Sequence, residues 1–287
     1  MYYLLIIISV IIFGGCFLLK DKYREKRGSS LKISLQFSFT SSIAGLIALF
    51  CINGLKFEFT MFTFIMALLN TLNGILFTFC SFKALGIINL SLFSLFSMLG
   101  GMMLPFLQGI IFFGEGITTA KIICVVLISI ALLMTVQKGD KNRGTIYYIG
   151  IFVLNGMSGV LSKIFTSAPF EKTSPEGYSI LGAICTIIMS LLILLIFFRK
   201  KDENDKPRLS TLAISAGSGI FNRLANLILV IALAHVDASV QYPMVTGGVM
   251  IVSTLLCYFG DKRPSKMEIW SIVVSFAGLL ALFAIPV

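Results

Sequence analysis

The chain has 287 residues, of which 57% are apolar and only 13% charged, and its mean hydropathy is +0.97. So little polar surface cannot cover a water-soluble globule, and the composition describes an integral membrane protein. The formal charge of +10 does not mark a nucleic-acid partner, because the basic residues fall in short clusters between apolar runs.

A bilayer core about 30 Å thick takes roughly 20 helical residues per crossing. Apolar runs near that length predict ten spans: 2–19, 33–52, 60–82, 88–113, 118–136, 145–166, 177–198, 209–234, 238–260 and 267–286. The expected fold is all-α and polytopic. Loops of about a dozen residues or fewer leave no room for a soluble catalytic domain. A cleaved signal peptide over residues 2–19 is the competing reading of the first span. It lacks a basic segment before the run and a small-residue cleavage site after it.

Of 23 Lys and Arg, 18 fall in the odd-numbered loops. Lys20, Lys22, Arg24, Lys26, Arg27 and Lys32 are assigned to the first of these, while the even loops hold only Lys56, Lys121 and Lys172. By the positive-inside rule the odd loops are cytoplasmic and both termini lie outside the plasma membrane. The six cysteines all lie within predicted spans without CxxC spacing, which reads as packing rather than as a disulfide or metal framework.

The third span carries Asn70 and Asn73 on one face, and a short turn at Lys83-Ala84-Leu85-Gly86 joins it to the fourth. Pro105 interrupts the fourth span after Gly100-Gly101, and the span closes on Gly114-Glu115. The polar stretch Lys138 to Gly144 then separates two halves, 1–139 and 140–287. In the second half, the sixth span carries Asn155, Ser158, Ser162 and Lys163, with Lys163 near enough to the helix end to snorkel. Gln241, Tyr242 and Pro243 open the ninth span, which closes on Gly260-Asp261. The halves repeat each other: Gly114-Glu115 meets Gly260-Asp261, Ser129 meets Ser275, Leu133 meets Leu279, and Ala84-Leu85 meets Ala232-Leu233. A unit with an odd number of spans, used twice in one membrane chain, must insert its second copy upside down. Glu115, Asp261, Pro105 and Pro243 read as helix-end or gating positions within that duplicated frame.

Arg223 is the sharpest single residue. It lies near the middle of the eighth span, where a charged side chain costs about 2.5–3.5 kcal/mol on insertion scales. At 100° per residue Asn222, Arg223 and Asn226 share one sector of the helix, a polar face that would turn into the bundle. Arg223, Asn222, Asn226, Asn70, Asn73, Asn155, Gln241 and Tyr242 are therefore the candidate solute-binding residues. The competing reading makes Arg223 a structural post and the asparagines interhelical struts. All 13 acidic residues fall in loops or at span ends, and the lone tryptophan, Trp270, is at an interfacial position, so neither a buried carboxylate nor a tryptophan cage points to a cationic solute. No metal-ligand spacing, nucleophile with a base or paired midplane carboxylates suggests an enzyme or a cofactor.

The span with internal proline leading to Phe112-Phe113-Gly114-Glu115, its counterpart Phe259-Gly260-Asp261-Lys262, and the glycine-then-lysine endings Gly15 to Lys20 and Gly159 to Lys163 resemble the drug/metabolite transporter superfamily, in its ten-helix EamA-like branch. The resemblance covers nearly the whole chain. It departs in having Asp261 where the family usually has glutamate, and in a wider Pro243 to Asp261 spacing. Its implications are two inverted five-helix repeats and a secondary transporter moving a small organic solute by alternating access. The composition of the midplane face makes that solute anionic or zwitterionic, such as an amino acid or metabolite. A flippase for a lipid-linked headgroup is the alternative. The expected partners are a small solute and membrane lipids, with monomer and homodimer both open.

Overall fold

The computed structural model describes residues 2–113, 118–135, 145–198, 208–233, 238–257 and 264–284. The helices, in chain order, are α1 (Tyr2–Arg27), α2 (Leu31–Ile52), α3 (Met61–Ile87), α4 (Leu90–Phe113), α5 (Thr119–Thr135), α6 (Thr145–Ser167), α7 (Pro175–Phe197), α8 (Leu209–Leu233), α9 (Ala238–Cys257) and α10 (Lys266–Ala284). Among the described residues there is no strand. Six helices, α1, α2, α3, α6, α7 and α8, are long and apolar enough to cross a membrane by length and composition. Their exposed side chains include Ile47, Leu69, Ile188, Leu192 and Leu195, an apolar exterior that suits a membrane-embedded protein, whose solvent is lipid.

Two expected boundaries are corrected. α1 does not stop at Leu19 but continues through the basic residues to Arg27, where Gly28 adopts φ +94° and its N–H bonds Arg24 O at 2.7 Å, a left-handed helix end that suits glycine. The turn expected at 83–86 is helical as well. α3 runs to Ile87, and the chain breaks only at Ile88 and Asn89, where Asn89 Oδ1 accepts the Leu92 N–H at 2.9 Å and so caps α4. The cap, not the glycine at 86, ends the helix there. Other starts are capped in the usual way: Ser30, Thr60 and Ser174 accept from the N–H groups of Ile33, Thr63 and Gly177.

Helix packing runs through glycine. α1 packs on α8 and α9, α6 packs on α3 and α4, α2 packs on α8 and α7 on α3, while α2 with α7, α4 with α9, and α5 with α10 also meet. The closest approaches are backbone to backbone. A Cβ on Gly100 of α4 would stand 1.9 Å from Phe152 O of α6, and one on Gly219 of α8 would stand 2.0 Å from Ser41 O of α2. The same contact occurs in pairs. Gly14 faces Val252 and Gly248 faces Val10 between α1 and α9, just as Gly156 faces Leu104 and Gly100 faces Phe152 between α6 and α4. Pro105 belongs to this packing too. Its ring fills the space before Gly159, where a Cβ would come within 2.5 Å of the proline Cγ, and α4 continues past it to Phe113. The main apolar core, with Ile6, Phe93, Leu95, Leu99 and Met250 buried, joins α1, α4 and α9 and also takes in Leu85 of α3, Ile151 of α6, Ala232 of α8 and Ile272 of α10.

Candidate functional site

A cavity of about 460 Å³ lies between α1, α2, α3, α6, α7 and α8, within the size range of small-molecule sites. Arg223 lines it, together with Asn70, Asn222 and Asn226. The arginine has room because α2 presents Gly45 opposite: a Cβ there would come within 2.9 Å of Arg223 Cγ. Among the described residues Arg223 has no hydrogen-bond or ion-pair partner, and no described Asp or Glu lines the cavity. A guanidinium with five donors and no ion-pair partner among the described residues can receive an anion.

The groups around it are chiefly amides and hydroxyls, which both donate and accept. Asn70 Oδ1 accepts from Ser158 Oγ at 3.1 Å, and its side chain also lies against the Tyr178 hydroxyl. Tyr178 of α7 stacks on Phe165 of α6 with ring centroids 4.4 Å apart. Its hydroxyl is buried near Asn70 and Ser162 without a well-formed hydrogen bond. Asn226 Nδ2 donates to Asn222 O at 2.8 Å, so Asn226 supports its neighbour and Asn222 keeps its own amide hydrogens. A small annex bounded by Leu49, Pro175, Glu176 and Leu227 continues from Arg223 and Asn226 toward the α6–α7 loop.

That loop is held in place. Ser174 donates its N–H to Glu58 Oε2 of the α2–α3 loop at 2.6 Å, and Thr173 donates its N–H to Thr63 Oγ1 at 3.1 Å. The hydrogen bonds from Ser174 hold the Glu58 carboxyl below its ordinary value. Ser174 also caps α7, so Glu58 indirectly fixes the helix start that carries Pro175 and Tyr178 to the cavity mouth.

Two expected binding residues are corrected. Asn73 does not line the cavity; its Nδ2 donates to Leu154 O of α6 at 2.8 Å. Asn155 likewise donates to Ser97 O of α4 at 2.6 Å. Both are interhelical struts, because a buried amide in an apolar bundle bonds the first free carbonyl within reach. Pro105 does not line the cavity either. Gln241, Tyr242 and Pro243 fall in the first turns of α9, and their side chains lie outside the described residues. Glu115 and Asp261 also lie outside them.

One cavity residue was assigned elsewhere from the sequence. Lys20, expected in a cytoplasmic loop, is only 8% exposed and lines the cavity from α1. Its Nζ lies 4.6 Å from the Phe77 ring centroid and 6.0 Å from that of Phe93, a cation held against aromatic faces. Beyond it Tyr23, Phe37 and Phe82 form a buried aromatic cluster, with Tyr23 and Phe37 centroids 5.1 Å apart. The sequence signal available was weak: one lysine at the edge of an apolar run followed by four more basic residues.

The sequence matches no known family and no curated protein. Solved structures do resemble the fold. One, titled only "Crystal structure of protein", superposes with a TM-score of 0.60 at 17% identity, over 96% of this chain and 95% of its own. At that identity the likeness extends to the fold alone.

Proposed function

We propose that the chain is a ten-span secondary transporter of the drug/metabolite transporter kind, moving a small anionic or zwitterionic organic solute across the plasma membrane by alternating access. The observation that carries this reading is Arg223: a cation without a hydrogen-bond or ion-pair partner among the described residues, in a cavity of metabolite size otherwise lined by amides, hydroxyls, aromatic rings and Lys20. An intramembrane charge of this sort ordinarily marks a solute path. The paired contacts support the inverted-repeat part of the reading. Exchanging α1 to α5 for α6 to α10 maps α1–α8 onto α6–α3, α1–α9 onto α6–α4 and α2–α8 onto α7–α3, and maps α2–α7, α4–α9 and α5–α10 onto themselves. That is the pattern expected of two interlocked five-helix units that rock about a shared site.

The test is thermal stabilisation of the purified protein by a panel of amino acids, carboxylates and phosphorylated metabolites, read in parallel on wild type and Arg223→Ala. A true solute raises the unfolding temperature of wild type and not of the variant, since only binding to the folded state shifts it. Equal stabilisation of both proteins by every anionic compound would remove the basis of the proposal.

A further inference from the structure

We propose that the solute carries two anionic groups, one received by Arg223 and the other by Lys20, so that the cavity is a two-ended anion site. This rests on the transporter reading above and narrows its substrate class. Both cations line the same cavity, and neither has a carboxylate partner among the described residues. α1 and α8 run antiparallel, with Ser9 Oγ donating to Ala225 O at 2.9 Å and Cys16 Sγ set 3.8 Å from Ser218 O. That register puts Arg223 level with Ile11, so the Lys20 backbone lies roughly 13 Å further along the axis at 1.5 Å rise per residue.

Helical side chains lean toward their own N-terminus. In this antiparallel pair the two leans converge: Lys20 reaches back toward the Arg223 level, and Arg223 toward the Lys20 level. Both leans run along the cavity that the two side chains line. Aromatic rings flank both ends, Phe17, Phe37 and Phe77 around Lys20, and Phe165 and Tyr178 near Arg223. The rest of the lining is rich in hydroxyls, among them Ser38, Ser42, Thr78 and Ser158.

The fold also says that Lys20 is not part of the repeated frame. Cys16 meets α8 at Ser218 as Ser158 of α6 meets α3 at Asn70, so one turn on Lys20 corresponds to Ser162. Lys163 is one residue off that position and does not line the cavity. The equivalent of Arg223 in α3 is likewise uncharged. Two cations introduced separately into a duplicated frame, both facing one space, are accounted for by one ligand with two negative ends.

The experiment uses the full chain in lipid nanodiscs and measures binding of α,ω-dicarboxylates of four to eight carbons against monocarboxylates of the same length, with phosphorylated hydroxy acids as a parallel arm. Wild type is expected to bind the best dianion at least tenfold more tightly than the matched monoanion. Lys20→Gln should bring dianion affinity down to that of the matched monoanion, Lys20→Arg should keep the preference, and Arg223→Gln should weaken both ligand classes. Preference in only one of the two arms identifies whether carboxylate or phosphate is the second group and supports the proposal. Equal affinity for mono- and dianions in wild type, or an unchanged preference in Lys20→Gln, overturns it. If monoanions bind in an Arg223-dependent manner but dianions gain nothing, the transporter reading survives and this inference alone fails. If neither class binds, both fall. The wild-type comparison stands even if Lys20→Gln does not fold.

Discussion

A single cation in an apolar helix was enough to direct attention to α8, because the insertion cost of about 2.5–3.5 kcal/mol demands compensation. The compensation is spatial. Gly45 vacates the volume that the arginine stem occupies, and the guanidinium borders the cavity rather than an ion-pair partner among the described residues. The asparagines divide according to the nearest carbonyl: Asn73 and Asn155 are engaged by Leu154 O and Ser97 O, whereas Asn70 and Asn222 line the cavity. Asn73→Ala is expected to lower stability by about 0.6 kcal/mol, the average for an interhelical bond in a membrane bundle, and to leave solute affinity unchanged. Unfolding midpoints and ligand titration of the same variant would check both halves of that statement. Glu58 is a separate case, since it lies outside the bundle in the α2–α3 loop. Its carboxyl is held below the ordinary value near 4.5, so its clamp on Ser174 is fully present above that pH and is lost as the pH falls through the lowered value. Glu58→Gln should remove that acid-side loss, and the difference between the two proteins' unfolding midpoints across pH 3 to 6, a window of roughly this width around a free carboxylate, would report it.

At the scale of elements, helix contact through glycine carries the architecture. Gly100→Ala would drive a Cβ into the Phe152 carbonyl, where no rotamer can relieve it, and is expected to cost at least the ~1–3 kcal/mol typical of overpacking. Gly15→Ala, on the same helix as the tightly packed Gly14, meets nothing within 4 Å and is expected to stabilise by about 0.5–1 kcal/mol through helix propensity. Unfolding of the two variants in detergent should move in opposite directions. Neighbouring glycines with opposite consequences cannot be told apart in the sequence, where Gly14-Gly15 is simply a pair of small residues. The extension of α1 to Arg27 is of the same kind. Hydropathy falls sharply after Leu19, yet the helix continues because Tyr23 packs into the Phe37 and Phe82 cluster. The run of bases is then the polar outer face of a helix end rather than a loop.

For the whole molecule, the halves interlock rather than stand side by side: α2 lies against α7 and α8, and α1 against α8 and α9. Neither 1–139 nor 140–287 encloses the cavity alone, since its walls come from helices of both. The proposed orientation has a direct test. A cysteine at Ser29, in the short connection after α1, should react with an impermeant reagent only from the cytoplasmic side, and one at Lys56 only from outside. The reverse pattern would invert the topology while leaving the cavity chemistry untouched. The Glu58–Ser174 clamp and the annex beside Pro175 lie on the Lys56 side, and the aromatic cluster around Tyr23 on the other. The two ends of the cavity are thus built differently, one hydrogen-bonded and one aromatic.

Composition and the spacing of apolar runs were sufficient for the helical, membrane-embedded character of the chain, because burying helices in lipid requires long stretches of apolar residues whatever the fold. Arg223 was legible for the same reason, as an exception to that requirement. What only the tertiary structure decided was which polar groups share a space. Lys20 sits where basic residues normally mark a loop, Tyr178 is one aromatic among many in an apolar helix, and Glu58 is an isolated acid between spans. Each acquires its role from residues in other segments, such as Phe77 for Lys20, Asn70 for Tyr178 and Ser174 for Glu58, brought near by backbone contacts at glycines whose neighbours no one-dimensional pattern records.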